Sequence, residues 1–164
     1  MGSDQNTMNL LLGNGNGTFR SPTVINVGGY FAAIPDLNGD KKLDIVLVGC
    51  STQGTNNVVT VLLGNGNGTF RPPVTYAAGA SGLLKIRDVN NDGALDVIVP
   101  NSQNRGTNVA VLLGNGDGTL RAAQQYVVDG AVTGVVSADF DFDGFADLAV
   151  GNGAHLSILL NTGH

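Results

Sequence analysis

The sequence predicts an all-β fold of repeated four-stranded antiparallel units, about three per chain, and three observations carry that prediction. Carboxylates alternate in three short loops, 36–44, 88–96 and 139–147, whose starts lie 52 and 51 residues apart. A Leu-Leu-Gly-Asn-Gly block at Leu11 returns at Leu62 and Leu112, with a shortened copy, Leu-Leu-Asn-Thr-Gly, at Leu159. The segments between these landmarks are short, apolar and rich in β-branched residues, and none sustains a helical period.

The totals permit such a fold. The chain has 164 residues, 42% of them hydrophobic and only 13% charged, so disorder driven by charge is excluded. Twenty-five glycines fit many tight turns. The net charge of −5 argues against general nucleic-acid binding. No apolar run reaches the length of a membrane span. No signal peptide is visible, and the polar segment 1–6 reads as a tag remnant or disordered terminus. Cys50 is the single cysteine, so no intrachain disulfide forms, and it reads as a small buried residue.

The elements follow in order. Each full repeat reads as four strands. Strand A leads into an acidic loop at 30–34, 82–86 and 132–137. Strand B leaves that loop at 45–48, 97–99 and 148–150. Strand C is expected at 58–63, 109–113 and 155–160, with an additional copy at 7–12. Strand D follows the Gly-Asn-Gly turn at 19–27, 70–77 and 120–128. The turn needs positive φ, which Asn-Gly and Asp-Gly supply. Strands B and C are nearly all apolar, as between packed sheets. Strand D carries Pro22, Pro72, Pro73, Gln124 or Gln125 and suits an edge. Four short strands in about 50 residues define a β-propeller blade. The chain then divides into a partial blade 7–28, blades 29–79 and 80–130, and a partial blade 131–161.

The acidic loops carry the chemistry. Asp36, Asn38, Asp40 and Asp44 occupy positions 1, 3, 5 and 9 of the first loop. Asp88, Asn90, Asp92 and Asp96 do so in the second, and Asp139, Asp141, Asp143 and Asp147 in the third. Alternation gathers these oxygens on one side of a tight loop, where a hard divalent cation removes their repulsion; Ca²⁺ suits so flexible a set. Position 7 (Lys42, Ala94, Phe145) would add a backbone carbonyl, and bidentate carboxylates at position 9 would complete six or seven oxygens. Gly93 and Gly144 at position 6 permit the sharp turn, where the first loop has Lys41. All 13 acidic residues are aspartates, and ten of them lie in these loops. That concentration opposes a reading of the loops as mere Asx turns. An EF-hand is excluded, because position 12 is Leu47, Val99 or Val150 rather than Glu, and strands follow. Binding is expected in the order third, second, first loop, with a structural role for the ion.

The stretch from Ser137 through Asp139-Phe-Asp-Phe-Asp-Gly to Gly151, and Asn108-Val-Ala-Val-Leu-Leu-Gly-Asn-Gly-Asp-Gly-Thr-Leu120, resemble the FG-GAP/VCBS repeats, relatives of the integrin α-subunit propeller. The resemblance covers nearly all of residues 7–161. It implies calcium loops between strands A and B, a secreted or cell-surface setting, and adhesion or ligand binding, with some members lectins. Lys41 departs from the family glycine, and the chain has fewer blades than a family ring.

No catalytic set is apparent. His155 and His164 are the only histidines, without a nucleophile motif beside them. The Gly-Asn-Gly runs lack the Lys-Ser/Thr ending and helix of a phosphate loop. Trp is absent, and Tyr30, Tyr76 and Tyr126 read as packing residues. A non-catalytic calcium-stabilised binding module is therefore expected, with a protein or glycan ligand; the alternative is a carbohydrate-binding propeller with sites between blades. Three blades cannot close a ring, so a head-to-tail homodimer of six blades is expected, in which strand D at 19–27 completes the partner's last blade.

Overall fold

The computed structural model describes residues 7–50, 57–102, 105–153 and 155–163, without the side chain of Cys50. The expectations for segment 1–6 and for the Cys50 side chain lie outside the described residues, as does His164.

Thirteen strands form four antiparallel sheets, and no helix occurs among the described residues. Strands β1 (Met8–Leu10) and β2 (Thr23–Ile25) make a two-stranded sheet. Strands β3 (Phe31–Ala33), β4 (Ile45–Cys50), β5 (Asn57–Leu62) and β6 (Val74–Ala77) follow as the first full blade. The second comprises β7 (Lys85–Arg87), β8 (Asp96–Pro100), β9 (Asn108–Leu112) and β10 (Gln124–Val127). The last sheet holds β11 (Gly134–Ala138), β12 (Asp147–Asn152) and β13 (His155–Leu159). In each blade, strands pair in chain order. The two-stranded sheet is a half-blade, and the last sheet is a blade of three strands.

Register explains the layering. Ile45↔Leu62, Val97↔Leu112 and Leu148↔Leu159 are equivalent pairs, so the blades superpose residue by residue. Alternate side chains of a strand face opposite ways. Ile45, Leu47 and Leu62 therefore pack with Met8, Ile25 and Phe70 on one side of the first blade. Val46, Val48, Val59 and Val61 pack on Val97, Val99 and Leu112 on the other. Ile98, Val109 and Val111 in turn meet Val135, Leu148 and Val150. Each full blade is sandwiched, which is why β4, β5, β8 and β9 lack polar alternation.

Three expectations needed refinement. Strand D is broken: Phe19, Phe70 and Leu120 make isolated bridges to Gly13, Gly64 and Gly114, and the ladder resumes only at β2, β6 and β10. Pro72 and Pro73 lie in that gap and donate no backbone hydrogen bond. The turn is also longer than two residues, closed by Asn14 N–H to the Thr18 carbonyl at 2.9 Å. Its positive φ falls on Gly15 and Gly17, while Asn16 instead accepts from the Thr18 N–H and hydroxyl. Finally, of the three tyrosines only Tyr76 joins a core cluster; Tyr30 and Tyr126 are 65% and 43% exposed.

Candidate metal centre

Each acidic loop connects strand A to strand B, and its first eight residues are outside regular strands. Without a ladder, the backbone N–H groups need other acceptors, and aspartate side chains provide them. Position 1 accepts from position 6: Asp36 from Lys41 N–H at 2.8 Å, Asp88 from Gly93 at 2.9 Å and Asp139 from Gly144 at 2.9 Å. Position 3 accepts from position 5, as Asn38, Asn90 and Asp141 do from Asp40, Asp92 and Asp143. Position 5 accepts from position 7: Lys42, Ala94 and Phe145 donate at 2.8–2.9 Å. The side chains that bring oxygen to the loop thus also wind its backbone inward.

Position 9 does something different. Asp44, Asp96 and Asp147 have no exposed surface. One oxygen of each accepts from position 2, Leu37, Val89 or Phe140, at 2.7–2.8 Å. The other accepts from the start of the next hairpin, Gly64, Gly114 or Asn161, at 2.7–2.8 Å. The carboxylate clasps the acidic loop to the hairpin after strand C. Both oxygens already hold one N–H, so each keeps one lone pair for an ion. Desolvation pushes the Asp96 carboxyl up, against the lowering pull of the Val89 and Gly114 N–H groups. Gly64 and Gly114 are required here, because a Cβ would lie 2.1 Å from the Leu43 carbonyl oxygen or 2.3 Å from that of Leu95.

The third loop gathers charge most tightly. One oxygen each of Asp139, Asp141 and Asp147 lie within 4.8 Å of one another, close enough to hold a metal ion. Among the described residues no other three acidic, histidine or cysteine groups converge so closely. Desolvation first, and then the charges of Asp143, Asp147 and Asp139, raise the Asp141 carboxyl above the usual range. In the second loop the Oδ1 of Asp88 is buried and accepts no hydrogen bond within the chain. A buried carboxylate oxygen without a donor is costly unless a cation meets it, so this loop too fits a bound ion. In the first loop Lys42 Nζ lies 3.4 Å from Asp40 Oδ2, a cation supplied by the chain itself. Asp40 is lowered, chiefly by the Lys42 N–H. Asp92 is likewise lowered, chiefly by the Ala94 N–H, and its partner Arg121 is more distant at 4.0 Å.

Two features escaped the sequence. Position 4 is left-handed in every loop: Gly39 has φ 72, Asn91 φ 57 and Phe142 φ 62. Lys41 adopts φ 64, so it keeps the conformation of the glycines at that place rather than opening the loop. The second is the clasp, which no fixed spacing signals: position 9 lies 20 residues before Gly64, 18 before Gly114 and 14 before Asn161.

Residues 36–86 and 88–150 match the model of the FG-GAP-like repeat. No curated protein matches the chain.

Proposed function

We propose that this chain, which belongs to the FG-GAP-like repeat family, is a calcium-stabilised binding module of the β-propeller type with no reaction of its own. The observation that carries the metal reading is the convergence of Asp139, Asp141 and Asp147 in the third loop. All donors there are hard oxygens on a loop able to adapt, which favours Ca²⁺ over the smaller and stricter Mg²⁺. The buried, donorless Oδ1 of Asp88 supports a second site. Asp36, Asn38, Asp40 and Asp44 form the weakest of the three, since Lys42 already neutralises part of it.

The ion's role is structural. Its loop joins strands A and B, and position 9 ties that loop to the hairpin after strand C. Binding to the folded chain alone stabilises it by about 2.7 kcal/mol per site at a hundredfold excess over Kd. A secreted or cell-surface setting, with its millimolar calcium, follows from this reading, as does recognition of a protein or glycan by the blade surfaces.

Titration calorimetry on chelator-treated protein tests the proposal. Two tight uptake events and a weaker third are expected, with a melting temperature that falls when chelator is added. Absence of uptake at millimolar calcium would overturn it.

A further inference from the structure

The last blade has a hole and the first half-blade has a knob. Phe70 and Leu120 begin the D segments of the two full blades, and each packs into the interface with the preceding blade. Leu120 is only 6% exposed and belongs to the core cluster that holds Val61, Val97 and Leu112, with Leu63 packed against it. The equivalent interface between the second and last blades has no such residue among those described. Instead it holds a cavity of about 380 Å³ lined by Val111, Leu113, Tyr126, Leu148, Leu159 and Asn161. Four of these, Val111, Leu113, Leu148 and Leu159, are the register equivalents of Val61, Leu63, Val97 and Leu112 in that cluster. Phe19 stands where Phe70 and Leu120 stand in their repeats, yet it is 64% exposed.

The edge beside the cavity is also incomplete. β5 and β9 pair on their outer side with β6 and β10, whereas β13 has no such partner among the described residues. Leu156 and Ile158, on the face of β13 turned away from the cavity, are 65% and 45% exposed, where their equivalents Val59, Val109, Val61 and Val111 are buried against the next blade. Phe142 at the same end is 92% exposed; its equivalent Asn91 reaches the next loop and donates to the Gly144 carbonyl. Phe19 lies at the opposite end of the blade stack, so the chain's own Phe19 does not reach this cavity.

We propose that the D segment 19–27 of a second copy of this chain adds to β13, with its Phe19 seated in the cavity. The two internal interfaces give the register. Gly64↔Phe70 and Gly114↔Leu120 predict Asn161 opposite Phe19 of the second copy. Thr60↔Thr75 predicts Ser157 opposite its Val24. To dock, β2 leaves the three-residue β1 for the five-residue edge of β13. The exchange is reciprocal, and two copies then share two completed blades in a closed two-fold dimer of six.

The proposal is independent of the calcium reading, and its test is run with calcium present throughout. Light scattering of the intact chain should give about twice its 16.7 kDa mass at micromolar concentration. Phe19→Asp alters an exposed side chain, so its circular dichroism should match the parent. It should nevertheless weaken dimerisation at least tenfold, by removing a buried aromatic anchor. In a Cys50→Ser background, Phe19→Cys with Asn161→Cys should oxidise to a covalent dimer, since facing strand residues suit disulfide geometry. Neither single cysteine variant should give that product. A monomeric parent, a dimer indifferent to Phe19→Asp, or a crosslink that stays at monomer mass would each overturn the proposal.

Discussion

Loops 36–44 and 139–147 share one backbone and divide its charge differently. Both take positive φ at positions 4 and 6, but the first places its glycine at 4 and lysine at 6, while the third has Phe142 at 4 and Gly144 at 6. Both end in a fully buried aspartate that clasps the following hairpin. They diverge in the charge they gather. The first has an amide at position 3 and Lys42 beside Asp40; the third has four carboxylates, three of which converge. Position 9 thus has one job in both loops, tying the loop to the hairpin, and in the third it also faces Asp139 and Asp141, while positions 3 and 5 carry the charge that differs between the loops.

The largest effect should test the shared job. Asp44→Ala and Asp147→Ala each leave two backbone N–H groups without an acceptor, in a buried setting at Asp44 and a part-buried one at Asp147. Each should cost about 3 kcal/mol in denaturant unfolding of the calcium-free protein, and the two costs should agree within about 1 kcal/mol. If Asp44→Ala unfolds like the parent, the clasp is not common to the loops.

The second pair of variants exchanges the unshared features. Asp141→Asn gives the third loop the amide that the first has at position 3. It should weaken the tightest of the proposed calcium sites about tenfold, roughly 1.4 kcal/mol. Lys42→Ala removes the chain's own cation from Asp40 and should strengthen the weakest site about threefold, less than 1 kcal/mol because that pair is partly solvated. Calorimetry on the two proteins should show the sites moving closer together in affinity. Unchanged affinities would detach calcium from these side chains.

Much of this organisation was legible beforehand, for physical reasons. A period near fifty residues with fixed turn signals leaves little freedom in strand order, and the alternating aspartates mark their loops. What could not be read depends on contacts distant in sequence. The clasp joins Asp44 to Gly64 across a whole strand pair, and nothing local in Leu-Leu-Gly announces that a Cβ would strike Leu43. The C strands read alike as largely apolar runs, yet Leu156 and Ile158 are exposed while Val59 and Val61 are not. Their surroundings, not their own sequence, make that difference. Position 4 went unnoticed because glycine, asparagine and phenylalanine share no chemistry that would advertise one backbone conformation.

Lys41 tests that backbone point with a smaller effect. A left-handed lysine is strained where glycine is not, although glycine has more chain entropy to lose. Lys41→Gly should stabilise the first loop by about 0.5–1 kcal/mol in thermal unfolding, with calcium absent. Phe142→Gly should give a gain of the same order in the third loop. A loss in either would mean that the side chain contributes contacts outweighing its strain.

The smallest effect is acid–base, and it separates the two loops by sign. Asp40 is lowered by the Lys42 N–H and, further down, by the Lys42 charge. Its contribution is present above the unfolded value near 3.8 and is lost as pH falls through the lowered folded value. Asp141 is raised, first by desolvation and then by its carboxylate neighbours. Its ionised form costs stability above the raised folded value, and the cost disappears as pH falls through that value toward 3.8. In calcium-free protein, mild acid should therefore relieve the third loop before it touches the first. Bound calcium favours the ionised carboxylate and should pull Asp141 down, reversing its sign. Carboxyl ¹³C titrations should place Asp141 above Asp40 without calcium, and shift Asp141 far more than Asp40 when calcium is added. If Asp141 titrates below Asp40 in the calcium-free protein, the crowding of charge that distinguishes the third loop from the first is absent in solution.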